Sequence, residues 1–116
     1  MTPFSLDDLA AIIADRAKSD SAASYTKSLL EAGPPRAAKK FGEEAVELVI
    51  AALEPERRHV VAEAADVVYH LLVLLQTRGV PLAEVLAELE RRTSMSGHAE
   101  KAARQPAGAA AESAVP

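Results

Sequence analysis

Apolar residues recur at helical spacing along most of the chain, and no stretch alternates apolar and polar residues as a strand would. A first helix is predicted to begin after Ser5, which can cap it, with Asp8 three residues later in a weaker form of the capping box. Residues 20–24 then read as a loop. The apolar side of this first helix is formed by Leu6, Leu9, Ala10 and Ile13.

Glycine and proline residues mark the ends of the next helices. A short helix or turn is predicted over 25–32 and ends at Gly33, and a longer helix follows over about 36–53. Pro55 breaks this longer helix and suits the first turn of the helix after it. The pattern therefore predicts two long helices joined by a short connection, which is an antiparallel helix hairpin.

The second long helix is expected to continue to about Arg78, where Gly79 can take the left-handed conformation that ends a helix. Pro81 is predicted to begin a last helix, with Leu82, Val85, Leu86 and Leu89 on one side. The sequence thus predicts an all-α fold of four to five helices with a helix hairpin at its core.

The two long helices carry more apolar surface than one short chain can cover. In the helix over 36–53, one sector is expected to pack on the core, whereas Val46, Ile50 and Leu53 lie on the far side. The following helix is apolar around most of its circumference, which predicts a central, buried position. A partner subunit is the natural source of further cover, so we expect a homodimer that completes the bundle. The core-facing sector of the first long helix is formed by Ala37, Phe41, Ala45, Leu48 and Ala52.

Two pairs of carboxylates interrupt this apolar pattern, Glu44 with Glu47 and Glu63 with Asp66. Each pair is spaced i, i+3, which places both side chains on one helix face. Buried carboxylates are costly unless a positive charge neutralises them, and a hard divalent cation bound by oxygen ligands supplies that charge. A solvated acidic surface is the ordinary alternative for either pair alone, but both pairs on consecutive apolar helices favour a metal site.

His70 lies in the same stripe as the second acid pair, one turn beyond Asp66. It could be a satisfied core histidine, a hydrogen-bond donor to a substrate, or a ligand. His59 and His98 are most simply surface residues. Lys39, Lys40, Arg91 and Arg92 are ordinary helix-surface charges by default, although Lys40 shares the face of the first acid pair.

The composition excludes several classes of function. Net charge is −4, so generic attraction to nucleic acid or to an anionic membrane is not indicated. Cysteine is absent, which excludes disulfides, thiolate zinc sites and cysteine nucleophiles. Acidic residues interrupt the first apolar stretch, so no signal-peptide pattern is present, and the uncharged stretch over 67–77 is too short to span a bilayer. We therefore expect a soluble, cytoplasmic protein.

The end of the chain differs in composition from the rest. Residues 104–116 offer little to bury beyond alanine methyl groups, so a disordered Ala-rich tail is expected there after an all-α domain over 1–103. A helical extension is the alternative, but the alanine run has no caps and no packing face.

The acid motif and its surroundings resemble a known enzyme family. Glu43-Glu44-x-x-Glu47 followed by Glu63-x-x-Asp66 is similar to the signature of the all-α nucleotide pyrophosphohydrolase (MazG-like) superfamily. Within it, the chain resembles the phosphoribosyl-ATP pyrophosphohydrolases of histidine biosynthesis over about residues 5–104. The stretches that carry this resemblance are 24–30, 39–47, 63–75, 85–92 and 95–101. The first stretch contains Ser-Tyr-Thr, and the third contains Tyr-His after the second acid pair.

This resemblance implies Mg²⁺-dependent hydrolysis of 1-(5-phosphoribosyl)-ATP to 1-(5-phosphoribosyl)-AMP and pyrophosphate. By resemblance, the expected metal ligands are Glu44, Glu47, Glu63 and Asp66, and Glu43 is a further ligand or a base. Glu43 and Glu47 are both expected to act in catalysis, and the spacing alone does not decide which carboxylate accepts the proton of the water. The residues expected to contact the substrate or to neutralise its phosphates are Lys27, Lys40, His70 and Arg91.

Other functions predict different observations. A related enzyme of the superfamily could hydrolyse another nucleoside triphosphate, which competition between substrates would reveal. A di-iron bundle usually has a Glu-x-x-His motif on two helices, whereas here the partner at i+3 is Asp66 and His70 lies at i+7. A non-catalytic helical interaction domain predicts no stabilisation by metal.

Overall fold

The computed structural model describes residues 2–19 and 24–94, and within these ranges it contains five α-helices and no strand. The all-α prediction is therefore confirmed. The chain divides into two compact units, Met1–Leu82 and Ala83–Pro116. The predicted Ala-rich tail over 104–116 and His98 lie outside the described residues. The helices are α1 (Leu6–Ala17), α2 (Tyr25–Ala32), α3 (Pro34–Ala52), α4 (Arg57–Thr77) and α5 (Leu82–Thr93).

Serine side chains cap the first two helices. The Ser5 hydroxyl accepts from the backbone N–H of Asp8 at 3.1 Å, and the Asp8 carboxylate accepts from the Ser5 N–H at 3.0 Å. This reciprocal pair is the predicted capping box, which satisfies two N–H groups that the first turn leaves without partners. Ser24 caps α2 in a similar way, because its hydroxyl accepts from the Lys27 N–H at 3.1 Å.

The ends of the long helices differ slightly from the prediction. Gly33 has a φ of 85°, and α3 already begins at Pro34 rather than near residue 36. Proline fits this position because the first helical N–H needs no partner. Pro55 does not lie in the first turn of α4, since Glu56 caps that helix by accepting from the Arg58 N–H at 3.1 Å. Gly79, with a φ of 65°, follows α4 in the left-handed conformation as predicted.

The core of the first unit is built around α3 and α4, which pack against each other more extensively than any other pair of its described helices. The connection over residues 53–56 is short, as in an antiparallel helix hairpin. Helices α1 and α2 also pack against this pair. The buried cluster that joins the four helices is formed by Ile13, Leu29, Ala37, Leu72 and Val73.

The outer side of α3 is as apolar as the sequence predicts. Val46, Ile50 and Leu53 are 59%, 52% and 85% exposed. On the inner side, Ala51 is buried whereas Ala52 is exposed, so the predicted core sector was wrong at its last position. The helix rotates by about 100° per residue, and at this end the residue one position earlier faces the core.

Within the described residues, the expected burial of the second long helix is found only in part. Among the residues of α4, His70, Leu72 and Val73 are buried, whereas Val61 is 62% exposed. Within the described residues, this helix is also long and apolar enough to cross a membrane by length and composition alone. A core helix of a soluble protein meets the same criterion, so this is weak evidence for a membrane span. The physical finding is an apolar helix whose surface the described residues cover only in part.

Candidate carboxylate site

Helices α3 and α4 bring together three of the four predicted carboxylate ligands. Oxygen atoms of Glu44, Glu63 and Asp66 all lie within 4.8 Å of one another, in an arrangement that could hold a metal ion. Glu44 comes from the middle of α3, and the other two lie one turn apart on the facing stretch of α4. Glu44 is buried, Glu63 is half-buried and Asp66 is exposed, so the cluster runs from the helix interface towards the surface.

Two oxygens of this cluster are buried without a hydrogen-bond partner among the described residues. These atoms are Oε2 of Glu44 and Oε1 of Glu63. Burial raises the pKa of Glu44 above its usual value, and the neighbouring charge of Glu47 raises it further. Buried carboxylate oxygens without donors are costly, and a cation that accepts oxygen ligands offsets this cost. The donor set therefore fits a hard divalent cation, because all of its atoms are carboxylate oxygens.

The remaining predicted acids of α3 lie beside this cluster. Glu47 is exposed one turn after Glu44, and its charge acts on the Glu44 carboxyl group. Glu43 is also exposed and forms an ion pair with Lys40, with 3.9 Å between Oε1 and Nζ. The three-residue group within 4.8 Å does not include Glu47. The structure thus places both candidate bases next to the cluster, on the same helix as Glu44.

His59 is exposed, as the sequence indicates, and it also contacts the cluster. Its Nε2 lies 3.2 Å from a Glu63 carboxylate oxygen, and its Nδ1 lies 3.0 Å from Glu54. The hydrogen bond to Glu54 is the main cause that raises the pKa of His59, and Glu63 adds to it. The imidazole is thus held between two acids and orients the outer oxygen of Glu63. The i, i+4 spacing of His59 and Glu63 is the signal that could have shown this contact.

His70 belongs to a hydrogen-bonded chain beside the cluster. Its Nδ1 lies 2.7 Å from the backbone carbonyl oxygen of Asp66, which can only accept, so Nδ1 carries a proton. In the neutral ring, Nε2 is then an acceptor, and the Tyr25 hydroxyl donates to it at 3.0 Å. Burial raises the pKa of Tyr25, which keeps this phenol protonated. The histidine is buried and satisfied, and it fixes the position of Tyr25.

A polar cavity of about 610 Å³ opens next to this chain of hydrogen bonds. Its lining includes His70, Asp66 and Arg16. The Arg16 guanidinium donates to the Tyr69 hydroxyl at 3.1 Å, and this hydroxyl also contacts the Thr26 hydroxyl. Asp66 is therefore shared between the carboxylate cluster and a cavity lined by aromatic and hydroxyl groups.

A second cavity, of about 590 Å³, lies along the first half of α3. Tyr25 lines both cavities. The second cavity has a cationic lining, with Arg36, Lys39 and Lys40 against the single acid Glu43. Positive charge thus lies beside the carboxylate cluster, on the same helix as Glu44, where an anionic substrate needs it.

The other two predicted substrate residues, Lys27 and Arg91, have partners of their own in the structure. The Lys27 ammonium donates to the backbone carbonyl of Ser19, after the end of α1. Arg91 is on α5 in the second unit, where its guanidinium contacts Glu88, with Nη2 and Oε2 2.6 Å apart. Neither residue lines the two cavities beside the cluster.

Sequence reasoning did not single out Tyr25 and Arg16 as parts of the site. Tyr25 contacts a residue 45 positions away, and Arg16 contacts one 53 positions away, so no local pattern reveals either contact. The available signal was the resemblance, because two of its diagnostic segments contain Tyr25 and His70. The structure shows that these two segments contact each other.

Comparisons with known proteins agree with the resemblance. A family model described as phosphoribosyl-ATP pyrophosphohydrolase matches residues 6–93. A phosphoribosyl-ATP pyrophosphatase of Methylobacterium radiotolerans is 60% identical over 107 residues, covering 92% of this chain and all of that protein. Phosphoribosyl-ATP pyrophosphatase 1 of Rhodopseudomonas palustris is 59% identical over 105 residues, which cover 90% of this chain and 98% of the relative. A phosphoribosyl-ATP pyrophosphatase of Rhizobium johnstonii is 53% identical over 105 residues, which cover 90% of this chain and 98% of that protein.

Proposed function

The chain belongs to the phosphoribosyl-ATP pyrophosphohydrolase family, and we propose that its carboxylate site hydrolyses 1-(5-phosphoribosyl)-ATP. The products are 1-(5-phosphoribosyl)-AMP and pyrophosphate, and the reaction is an early step of histidine biosynthesis. The observation that carries this proposal is the cluster of Glu44, Glu63 and Asp66 within 4.8 Å, next to two cavities that offer cations and hydroxyl groups.

Mg²⁺ is the cofactor that we propose for this cluster. Glu44, Glu63 and Asp66 would hold it, with Glu47 as a fourth ligand one turn along α3. The two buried carboxylate oxygens without donors support this assignment, because oxygen ligands of this kind are the ones that Mg²⁺ prefers. When bound, Mg²⁺ offsets negative charge on the substrate phosphates and makes a coordinated water more acidic.

The protein itself supplies a base and cations for the reaction. Water attacks the anhydride that joins the α- and β-phosphates, a new P–O bond forms, and the bond to the leaving pyrophosphate breaks. Glu43 or Glu47 accepts the proton that the water loses, since both are exposed carboxylates beside Glu44. Lys40 neutralises the triphosphate, which its position at the cationic cavity and near Glu43 supports.

The polar cavity receives the part of the substrate next to the reacting phosphates. His70 keeps the Tyr25 hydroxyl in place at its edge, which supports a role for both residues in binding the substrate. Lys27 and Arg91 remain proposed phosphate contacts. Each would have to leave the partner that it has in the structure, the Ser19 carbonyl for Lys27 and Glu88 for Arg91.

We also propose that the enzyme is a cytoplasmic homodimer with its active site near the subunit interface. The exposed apolar residues of α3 and α4 support this arrangement, because exposed apolar surface of this kind is typical of interfaces. Net charge of −4 supports a role without nucleic acid. The residues that would be covered are Val46, Val49, Ile50, Leu53 and Val61.

Pyrophosphate release from phosphoribosyl-ATP, with and without Mg²⁺, tests the proposed function. The wild type should release pyrophosphate only with the divalent cation, and Glu47→Gln or Asp66→Asn should nearly abolish the release while the helical circular dichroism is unchanged. Full activity in either variant would contradict the proposed site. Faster hydrolysis of an ordinary nucleoside triphosphate would instead assign the chain a different substrate.

A further inference from the structure

We propose that Arg36 and Lys39 bind the 5′-phosphate of the ribose attached to N1 of the adenine, and that they thereby select phosphoribosyl-ATP over ATP. This inference rests on the proposed function, which supplies the substrate. The substrate carries phosphate at two ends, a triphosphate that reacts and a monophosphate that does not. ATP has the first end but lacks the second, so a site for the monophosphate distinguishes the two nucleotides.

The cationic cavity carries a net positive charge, which suits a phosphate group. Arg36, Lys39 and Lys40 line it together with one acid, Glu43, in a chain whose net charge is −4. Lys40 lies 3.9 Å from Glu43 and directly precedes the carboxylate cluster on the same helix. Among the described residues, Arg36 and Lys39 have no ion pair with an acid. No acid in the described part of the chain therefore forms an ion pair that neutralises these two cations.

The distance of Arg36 from the cluster along α3 separates its role from that of Lys40, and Lys39 lies between these two residues. Arg36 lies eight positions before Glu44, which corresponds to about 12 Å along the helix, and Lys39 lies five positions before it, about 7.5 Å. The β- and γ-phosphates adjoin the bond that breaks, so they are expected close to Glu44. The 5′-phosphate is separated from that bond by the adenosine and a second ribose, and the outer part of the cavity suits it.

The cavity also continues towards the reacting centre. Tyr25 lines both this cavity and the polar cavity that contains Asp66. The charges of Arg36 and Lys40 both act on the Tyr25 phenol, as does the charge of Glu44. One elongated substrate can therefore contact the carboxylate cluster, pass Tyr25 and reach Arg36. Arginine and lysine both bind phosphate through charge-assisted hydrogen bonds, and the planar guanidinium can do so with two parallel bonds.

A double variant, Arg36→Gln with Lys39→Gln, tests the inference on two substrates. One substrate is phosphoribosyl-ATP, and the other is N1-ribosyl-ATP, which lacks only the 5′-phosphate. Loss of charged contacts to phosphate should lower kcat/KM for phosphoribosyl-ATP by about 10- to 100-fold, chiefly through KM, with little effect on the dephosphorylated substrate. Lys18→Gln with Arg58→Gln, which removes two exposed cations outside both cavities, is the matched control. Should the double variant fail to fold, each single substitution serves instead.

Binding of the product gives a second measurement that does not depend on turnover. Calorimetry should show that the double variant loses affinity for phosphoribosyl-AMP, whereas its affinity for AMP is the same as that of the wild type. Equal losses on both substrates and both products would overturn the inference, because the cations would then serve phosphates common to both. A wild type that releases no pyrophosphate from phosphoribosyl-ATP would refute the proposed function itself, which is a different result.

Discussion

Replacing Glu44 by glutamine should change the effect of Mg²⁺ on stability as well as on activity. This carboxylate is the buried member of the cluster, and one of its oxygens has no partner among the described residues. The substitution keeps the shape of the side chain and removes its charge. The new amide can donate to the carboxylates of Glu63 and Asp66, whereas the original side chain only repels them.

The expected size of this effect follows from the spacing of the oxygens. Two unit charges 4.8 Å apart, the upper limit for this cluster, repel each other by about 3.5 kcal/mol at an effective dielectric constant of about 20 and by about 0.9 kcal/mol in bulk water. Because Asp66 is exposed, its repulsion with Glu44 lies near the lower value. We therefore expect the metal-free variant to be more stable than the wild type by about 1 kcal/mol, a rise in Tm of a few degrees.

Mg²⁺ should reverse this order. A ligand present at 100 times its Kd stabilises the folded state by about 2.7 kcal/mol, which exceeds the repulsion that the wild type must overcome. The variant has lost a central ligand and should gain much less from the same concentration. Pyrophosphate release should fall by at least about 100-fold, as expected when a group that supports the metal is removed.

Thermal denaturation followed by circular dichroism, with EDTA and then with a series of Mg²⁺ concentrations, measures this reversal. Glu31→Gln is the control, because this acid is exposed at the end of α2 and lines neither cavity. Its Tm should follow that of the wild type in both conditions. A Glu44→Gln protein that is less stable than the wild type in EDTA, or equally stabilised by Mg²⁺, would refute the reasoning.

Three further outcomes are expected. In EDTA, the wild type should gain stability relative to Glu44→Gln as the pH falls from 7 towards 4.5, because the folded protein protonates Glu44 at a higher pH than the unfolded chain does; thermal melts over this range measure the gain. Deleting residues 104–116 should change neither Tm nor turnover, and a large loss of either would mean that the tail contributes to the domain. Ile50→Glu should dissociate or unfold the protein and remove activity, and a fully active monomer in light scattering would contradict the proposed dimer.

Local chemistry made much of the fold predictable. The capping box of Ser5 and the left-handed Gly79 are each determined by a few neighbouring residues, and both predictions are confirmed. Pro55 was placed wrongly because proline suits either a first helical turn or the loop before it. The side chain of Glu56 decides between these positions, since it caps the helix that follows.

The site was predictable only as far as helical periodicity extends. The i, i+3 spacing places Glu63 and Asp66 on one face of α4, and the structure brings Glu44 to that face. Contacts between distant segments, such as Tyr25 with His70, depend on how the helices pack, and sequence spacing does not determine this. His59 shows the opposite case. Its i, i+4 spacing from Glu63 indicates their contact, but the prediction of a surface residue rested only on its position near the helix start.

The incomplete burial of α4 and the carboxylate oxygens without partners are both found on the helix hairpin of α3 and α4. The helix is apolar around most of its surface, yet the single chain buries few of its residues. Apolar surface left in water favours association, whereas buried acids without partners oppose folding unless a cation is present. The helix hairpin of α3 and α4 thus favours two kinds of partner, a protein surface that covers its apolar residues and a cation that neutralises its buried carboxylates. A subunit interface that covers the apolar faces would also reduce solvent around Glu63 and Asp66, and would strengthen their attraction for a divalent cation.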